Sequence, residues 1–381
     1  MKIPFHRPLY DDQDAEAIAA PLRAGKLVGD GDFTKRASAD LAARLGVGHV
    51  LLTPSCTHAL ELAVAACGVG PGDEVIVPDF TFVSTADCVL QRGARIVFAD
   101  VDPRTLTLDV EDCARRITPR TKAMIPVGYA GVSPAMDELV AVARAKGIRV
   151  IEDAAQSVGA TYRGRAQGTA GDAGCFSFHE TKNISTGEGG AFVTADAELA
   201  QRAEIIREKG TNRKQFLLGL VDKYTWVEVG SSYLPPDSTA SLLLSQLARL
   251  DEVTARRRAV HERYQAAFGP LADEGLLTLP HIPAHSGSNY HIYHVLLRDE
   301  RTRNAALAHF AARGIGTTFH YLPLHLSPVG QRATGGRAGD FPVTESVSAR
   351  LLRLPIYPSL TQPEQEEVVT AMHDFCREAR R

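Results

Sequence analysis

The segment "GIRVIEDAAQ", residues 147–156, decides how this chain folds. A turn glycine opens it, a short β-branched run follows, and an acid pair, Glu152 and Asp153, closes it. A brief apolar run bounded by turn signals reads as a buried strand. Four earlier segments share the form: "HVLLT" (49–53), "DEVIVP" (73–78), "ARIVFADVD" (94–102) and "TKAMIPVGYAG" (121–131). Successive strands begin roughly 20–30 residues apart, the spacing of β-α-β units. Between the first two, "PSCTHALELAVAACG" (54–68) predicts a helix ending at Gly68. A mostly parallel sheet follows, and such sheets gather ligands at the carboxyl ends of their strands.

Two further strand-like segments, "GCFSFHE" (174–180) and "GGAFVTAD" (189–196), lie too close together for a crossover helix and flank a polar loop that contains Lys182. From about Ala240 to Phe268 the pattern predicts one long charged helix leading out of the large domain, with Arg256, Arg257 and Arg258 on a solvated face. Beyond it come "TLPHIP", "NYHIYHVLLRD", a helix near "TRNAALAHFAARG" and a closing helix "TQPEQEEVVTAMHDFCREARR" that runs to residue 381. The expected division is a large domain, residues 1–250 with the N-terminal segment, and a smaller α+β domain, residues 251–381.

Bulk properties narrow the function. The chain has 381 residues, 44% hydrophobic and 23% charged, ordinary for a globular protein of this size. A net charge of −3 provides no general basic field for nucleic acid. The opening "MKIPFHRPLYDDQD" has no apolar core of a signal peptide, and no apolar run is long enough to span a bilayer. The six cysteines are scattered without a C-x-x-C pair, so neither a zinc site nor a disulfide framework is indicated. A reducing cytoplasm is the expected compartment, with no membrane or nucleic-acid partner.

Four features carry chemistry. Asp153 ends a parallel strand, where it could cap the next turn or meet a ligand nitrogen. Lys182 sits in the loop between paired strands, either as a solvated side chain or as a reactive amine. Ser55, Cys56 and Thr57 open a helix after the first strand; this is either a plain cap or an anion site. Phe80 and Phe82 follow the second strand, as core residues or as a flat surface. Pyridoxal phosphate accounts for all four at once. It needs a lysine for its aldehyde, an acid for its ring nitrogen, an anion cradle and a stacking surface.

The stretch "EDAAQSVGATYRGRAQGTAGDAGCFSFHETKNISTGEGGAFVT" (152–194) resembles the core signature of the DegT/DnrJ/EryC1/StrS sugar aminotransferases. The resemblance runs from "GKLVGDGDFT" through "PSCTHALE" and "FHYLPLH" to "LLRLPIYPSLT". It implies a fold-type I transferase, α/β, with the mostly parallel sheet flanked by helices and the smaller α+β domain after it. "SFHETKN", "EIIREKGTNR", "VDKYTW" and "GSSYL" are similar to the subgroup that makes dTDP-4-amino-4,6-dideoxygalactose.

The resemblance implies a role for each matching residue. Lys182 is the cofactor lysine, Asp153 the acid on the ring nitrogen, Gln156 a contact to the ring, and Phe82 the stacking aromatic. Cys56, Thr57 and Ser177 hold the phosphate. Ser232 stands where many relatives carry an asparagine that reaches the partner subunit's phosphate, and "GSSYL" departs from the family's usual tract there. Lys223, Tyr224 and Trp226, with His320, Tyr321 and His325, are the substrate candidates. The resemblance further implies L-glutamate as donor, a nucleotide-linked keto sugar as acceptor, and a homodimer with shared active sites. Relatives that dehydrate their sugars carry histidine in place of the lysine, so Lys182 favours transamination. A cysteine desulfurase would need a mobile cysteine, for which Cys376 in the terminal helix is a poor candidate. A cofactor-free regulatory protein would have no use for both Lys182 and Asp153.

Overall fold

A computed structural model describes residues 2–378. Its main sheet begins with β1 (His49–Thr53), β2 (Glu74–Pro78), β3 (Arg95–Ala99), β4 (Thr121–Met124) and β5 (Arg149–Asp153), all from segments read as strands. A small hairpin, β6 (Thr161–Tyr162) and β7 (Arg165–Ala166), precedes β8 (Ala173–Ser177) and β9 (Gly190–Thr194). The seven-stranded order is β1-β9-β8-β5-β4-β2-β3. Its pairs are parallel except those made by β9, which runs antiparallel to both β1 and β8. The expected mostly parallel sheet is present, and the short β8–β9 connection carries Lys182.

Alternation along each strand sends neighbours to opposite faces. In β2, Val75 and Val77 enter one core with the helix Cys56–Ala66, while Ile76 enters another with Leu139 and Val150. Both faces are covered, which explains why these strands read as continuous apolar runs. Burying each such side chain contributes about 1.5–3 kcal/mol.

The C-terminal part has its own core, formed by Val260, Tyr264, Phe268, Phe310, Val368 and Met372 around β11 (Tyr293–Leu296) and β12 (Leu351–Leu354). The two-residue strand β10 (Ser286–Gly287) instead joins β6. Ile3 belongs to this second core and bridges to Ile315, so the first residues pack with the end of the chain and not with the segment that follows them. The closing helix is Gln362–Glu378; residues 379–381, assigned to it from the sequence, lie outside the described residues. Among the described residues, no helix is long and apolar enough to cross a membrane.

Two expectations are corrected. The single helix from Ala240 to Phe268 is two, Asp237–Leu247 and Leu250–Asp273. Arg249 leaves the helical region at φ −106°, ψ 5°, and its guanidinium bonds Asp11 and Asp14 at the start of the first helix, Asp12–Arg23. Tying down the N-terminal helix thus coincides with the break. The triplet Arg256–Arg258 is not one solvated face. Arg256 and Arg258 are exposed and paired with Glu252 and Glu262 one turn away, but Arg257 is only 1% exposed. It donates to the carbonyls of Tyr290 at 3.0 Å and His291 at 2.5 Å. The middle residue of a charged helical run faces inward because the segment after β10 needs donors there.

Arg257→Ala should therefore lower stability by about 2–4 kcal/mol, leaving a cavity and two carbonyls without a donor. Arg256→Ala and Arg258→Ala should each change it by less than about 1 kcal/mol. Urea unfolding of the three variants checks this, and equal losses would contradict the inward placement.

Candidate active site

Strand ends place the site. Asp153, last residue of β5, is 5% exposed. Its Oδ2 accepts from Thr85 Oγ1 at 2.8 Å and its Oδ1 from the Ala155 N–H at 3.1 Å. Thr85 is bonded in turn to Thr81, hydroxyl to hydroxyl, at 2.9 Å. Glu152, one residue earlier, points to the other face. It accepts from the N–H groups of Gly168 (2.9 Å), Ala170 (2.6 Å) and Gly171 (2.8 Å), holding the turn before β8. The two acids divide as strand alternation requires: one fixes backbone and the other faces a cleft.

That cleft, about 510 Å³, is lined by Asp153, Lys182, Phe82, Gln156 and Ser177, and by Cys56 and Thr57 at a helix start. His320 and Tyr321 also line it. Burial lowers the Lys182 ammonium below its usual range and raises the Asp153 carboxyl above its own, the latter opposed by the bonds from Thr85 and Ala155. Burial also pushes the Cys56 thiol well up, so it stays protonated. His291 and His320 are pushed down by burial, which keeps their rings neutral.

The candidate anion cradle is built from two helix starts and a strand end. Ser55 caps Cys56–Ala66 by accepting from the His58 N–H, and Thr57 Oγ1 meets Ser84 Oγ at 2.8 Å. Ser177 closes β8 beside them. The glycines after the lysine loop have a steric reason. A Cβ on Gly190 would stand 2.3 Å from the Ser55 carbonyl carbon and 2.5 Å from the Cys56 nitrogen. Only glycine lets β9 approach the cradle that closely.

The two phenylalanines separate. Phe80 is 1% exposed and packs against Tyr129, whereas Phe82 is 56% exposed at the cleft. Gln156 accepts from the Ala130 N–H at 2.7 Å and donates to Tyr321 Oη at 3.1 Å. His320 stacks on Tyr321 with ring centroids 3.5 Å apart.

Other expected residues lie elsewhere in this chain. His325 is fully buried: its Nδ1 meets Asp79 Oδ2 at 2.6 Å and its Nε2 stands 3.2 Å from Glu345 Oε1. It is a bolt behind the cleft and does not line it, because the turn after Tyr321 carries it inward. Lys223, Tyr224, Trp226 and Ser232 are exposed and outside the cleft. They belong to the segment after the short helix Arg213–Leu217, which borders a separate hollow of about 630 Å³ that holds none of the cofactor candidates.

Sequence reasoning missed several groups at the site. Thr81, Ser84 and Thr85 stand in the "PDFTFVST" stretch already singled out, so helical spacing could have found Thr85 opposite the strand end. Phe5, His291 and Arg353 arrive from remote segments with no local signal. His291 Nδ1 meets Asn183 Oδ1 at 2.9 Å, beside the lysine, and the N-terminal segment is fixed there by His6 against the Glu180 carbonyl at 2.6 Å.

With this geometry in view, similarity to known proteins is decisive. The sequence profile of the DegT/DnrJ/EryC1/StrS aminotransferase family matches residues 8–373. The chain belongs to that family. Among curated relatives, the spore coat polysaccharide biosynthesis protein SpsC of Bacillus subtilis is 37% identical over 99% of this chain and 98% of its own. Among solved structures, the aminotransferase TlmJ from Streptoalloteichus hindustanus superposes with a TM-score of 0.91 at 34% identity, covering all of both chains. The putative sugar aminotransferase Spr1654 from Streptococcus pneumoniae, in its PLP form, gives 0.90 at 26% identity over 99% of each chain. The fold is that of the fold-type I aminotransferases, and pyridoxal phosphate is the cofactor.

The cleft fits that group on its own terms. A buried carboxylate, held by two donors, has room for a protonated ring nitrogen to offset its desolvation, and hydroxyls at a helix N-terminus suit a phosphate. Asp153→Asn should lower activity about 100-fold or more, the scale of a lost charge-assisted bond plus misplaced charge. Thr85→Val should cost about tenfold through the same carboxylate. Glu152→Gln should act mainly on thermal stability, since it strips charge from an acceptor of three N–H groups. Steady-state kinetics and melting curves separate these, and an activity loss larger at Glu152 than at Asp153 would contradict the division.

Proposed function

We propose that this protein moves the amino group of L-glutamate onto a nucleotide-linked 4-keto-6-deoxy sugar, with dTDP as the carrier, in the cytoplasm. The observation that carries the reading is the pairing of Lys182 with Asp153 across one partly closed cleft, in a family of aminotransferases. The tracts similar to the dTDP-4-amino-4,6-dideoxygalactose subgroup support the acceptor, as do the descriptions of SpsC as a spore coat polysaccharide biosynthesis protein and of Spr1654 as a putative sugar aminotransferase.

Bound pyridoxal phosphate supplies an electron sink for the charge left when a proton leaves the donor carbon. Lys182 is the base that takes that proton and the acid that returns it, and burial brings its amine toward the neutral form a base needs. Asp153 keeps the ring nitrogen protonated. Thr85 keeps Asp153 in place. Ser177 and the Ser55–Thr57 turn hold the phosphate, Phe82 covers the ring, and Gln156 touches its edge. His320 and Tyr321 face the sugar. Lys182, where a dehydratase of the family has histidine, favours transamination over dehydration.

The site is proposed to be shared between two subunits. Trp226 is 74% exposed, and Leu217, Leu220 and Val229 are each more than half exposed on the same segment. Such an apolar face is costly in water and suits a second copy. In that arrangement Ser232, Lys223, Tyr224 and Trp226 reach the partner's cleft, bringing a hydroxyl to the phosphate and charge and rings to the nucleotide.

Lys182→Ala should abolish turnover while leaving the melting temperature within a few degrees, about 1 kcal/mol in stability. Transamination within a few-fold of wild type would overturn the assignment. Mixing that variant with a Lys223/Tyr224/Trp226 triple alanine variant, with subunit exchange demonstrated, should regenerate activity. No recovery would place the segment outside any shared site. Product analysis with glutamate and dTDP- or UDP-linked 4-keto and 3-keto sugars should give a 4-amino dTDP sugar. Amination at C3 alone, or of no nucleotide sugar, would overturn the acceptor.

A further inference from the structure

The first residues lie between the C-terminal part of the chain and the lysine loop, and they touch both. Ile3, Phe5 and Arg7 turn one way. Ile3 is fully buried in the second core; its N–H donates to the Gly314 carbonyl at 3.0 Å and its carbonyl accepts from Gly316 at 2.8 Å. The Phe5 ring stands 4.7 Å from the Arg353 Cζ. The Arg7 Cζ lies 5.2 Å from the centre of the Tyr357 ring, and its guanidinium is 3.5 Å from Glu364. His6, between Phe5 and Arg7, turns the other way, the alternation of an extended segment. Its Nε2 meets the Glu180 carbonyl at 2.6 Å. A carbonyl only accepts, so that nitrogen carries the proton. Burial pushes the His6 ring down to about 4, which keeps it neutral.

Two more ties join the same segments. Tyr10 Oη donates to Ser185 Oγ at 2.9 Å. That Oγ also accepts from the Gly187 N–H at 3.0 Å and donates to the Phe178 carbonyl at 3.3 Å, across the base of the loop. The Gln246 amide donates to the Leu9 carbonyl at 3.1 Å and accepts from the Ser185 N–H at 3.3 Å. Residues 180 and 185 stand on either side of Lys182, and both are held from residues 6–10. Among the described residues, no other group donates to the Glu180 carbonyl. We infer that residues 3–10 are a positioning strap that sets Lys182 from the C-terminal part of the chain, with His6 and Tyr10 as its contacts to the loop. This rests on Lys182 as the lysine that takes the cofactor, and adds what places it.

The ties serve the loop more than the strap. The strap is anchored without them, at Ile3 by the second core and at Leu9 by Gln246, whose amide also donates to Asp14 at 2.9 Å. Lys182 reaches the cleft on a flexible four-carbon stem, so its aim is set by the loop that carries it. Its amine must meet the cofactor's aldehyde carbon and later the donor carbon, and a misplacement of about 1 Å can cost about 100-fold. A movement of the C-terminal part against the main sheet is passed to the amine through the same contacts.

The test compares two forms of the cofactor on the full-length chain freed of it. Pyridoxal phosphate joins its aldehyde to the Lys182 amine with loss of water, giving a visible absorbance band. Pyridoxamine phosphate carries an amine instead and makes no bond to the lysine. In His6→Phe, which keeps a ring but removes the donor, the Kd for pyridoxal phosphate should rise about tenfold and its band should form about tenfold more slowly. Tyr10→Phe should act in the same direction by about threefold or more. The Kd for pyridoxamine phosphate should stay within about twofold in both, since the phosphate cradle and Asp153 are untouched. His6→Gln, whose amide can reach the Glu180 carbonyl, should recover most of the loss. Equal weakening for both compounds would reduce the strap to a general structural tie and overturn the proposal, as would wild-type binding of pyridoxal phosphate in both variants. Should His6→Phe not fold, Tyr10→Phe decides, because it removes one hydroxyl from a residue that is 44% exposed. Lys182→Ala separates the underlying assignment. A visible band that survives in it would overturn the lysine reading and the strap with it. A band lost there but unchanged in both strap variants would overturn the strap alone.

Discussion

The structure depends on one buried carboxylate. Asp153 ends the central strand of the main sheet, out of water, with one hydroxyl and one N–H as its only donors among the described residues. Two donors do not replace the hydration of a charge, and burial accordingly pushes its proton affinity up. The same burial pushes the Lys182 ammonium down. A protonated ring nitrogen set against Asp153, with Lys182 holding the cofactor, would resolve both tensions together. The cleft without its cofactor is electrostatically unfinished, and that is the physical content of calling it a cofactor site.

Much of the surrounding architecture serves that strand end. Glu152 uses the opposite face to hold the turn at residues 168–171, which sets β8 and thereby the lysine loop. Gly190 lets β9 press against the Ser55–Cys56 backbone of the candidate phosphate cradle. Asn183, next to Lys182, is tied to Asn289 and His291, and Asn289 donates to the carbonyls of Gln156 and Val158. The lysine loop, the turn after β5 and the segment before β11 thus share one buried network. A small shift in any of them moves the amine relative to the acid, and networks of this kind gain from full satisfaction.

The sheet was legible because each strand is short, apolar on both faces and bounded by turn residues. That the proposed cofactor residues meet in one cleft was legible for a related reason. Asp153 and Ser177 end strands, the Ser55–Thr57 turn follows one, and Lys182 lies in the short loop between two paired strands, so local sequence already sets their place. What stayed hidden comes from packing between remote segments. Nothing near Arg353 or Phe5 in sequence says that β12 and the first residues meet over the same cavity. Arg257 looked like its neighbours until the backbone it serves was known. His325 follows Tyr321 by one short turn, yet that turn carries it to Asp79 and away from the cleft. The helix expected from Ala240 to Phe268 broke at Arg249, where ion pairs to the N-terminal helix coincide with a departure from helical dihedrals.

The central claim is that Lys182 carries the cofactor against Asp153. Borohydride treatment of the PLP-loaded protein followed by peptide mapping tests it most directly. The account predicts one pyridoxyl group per chain, on the peptide containing Lys182, and none in Lys182→Arg. Labelling at another lysine in the wild-type protein, or no labelling of a chain that retains bound cofactor, would contradict it.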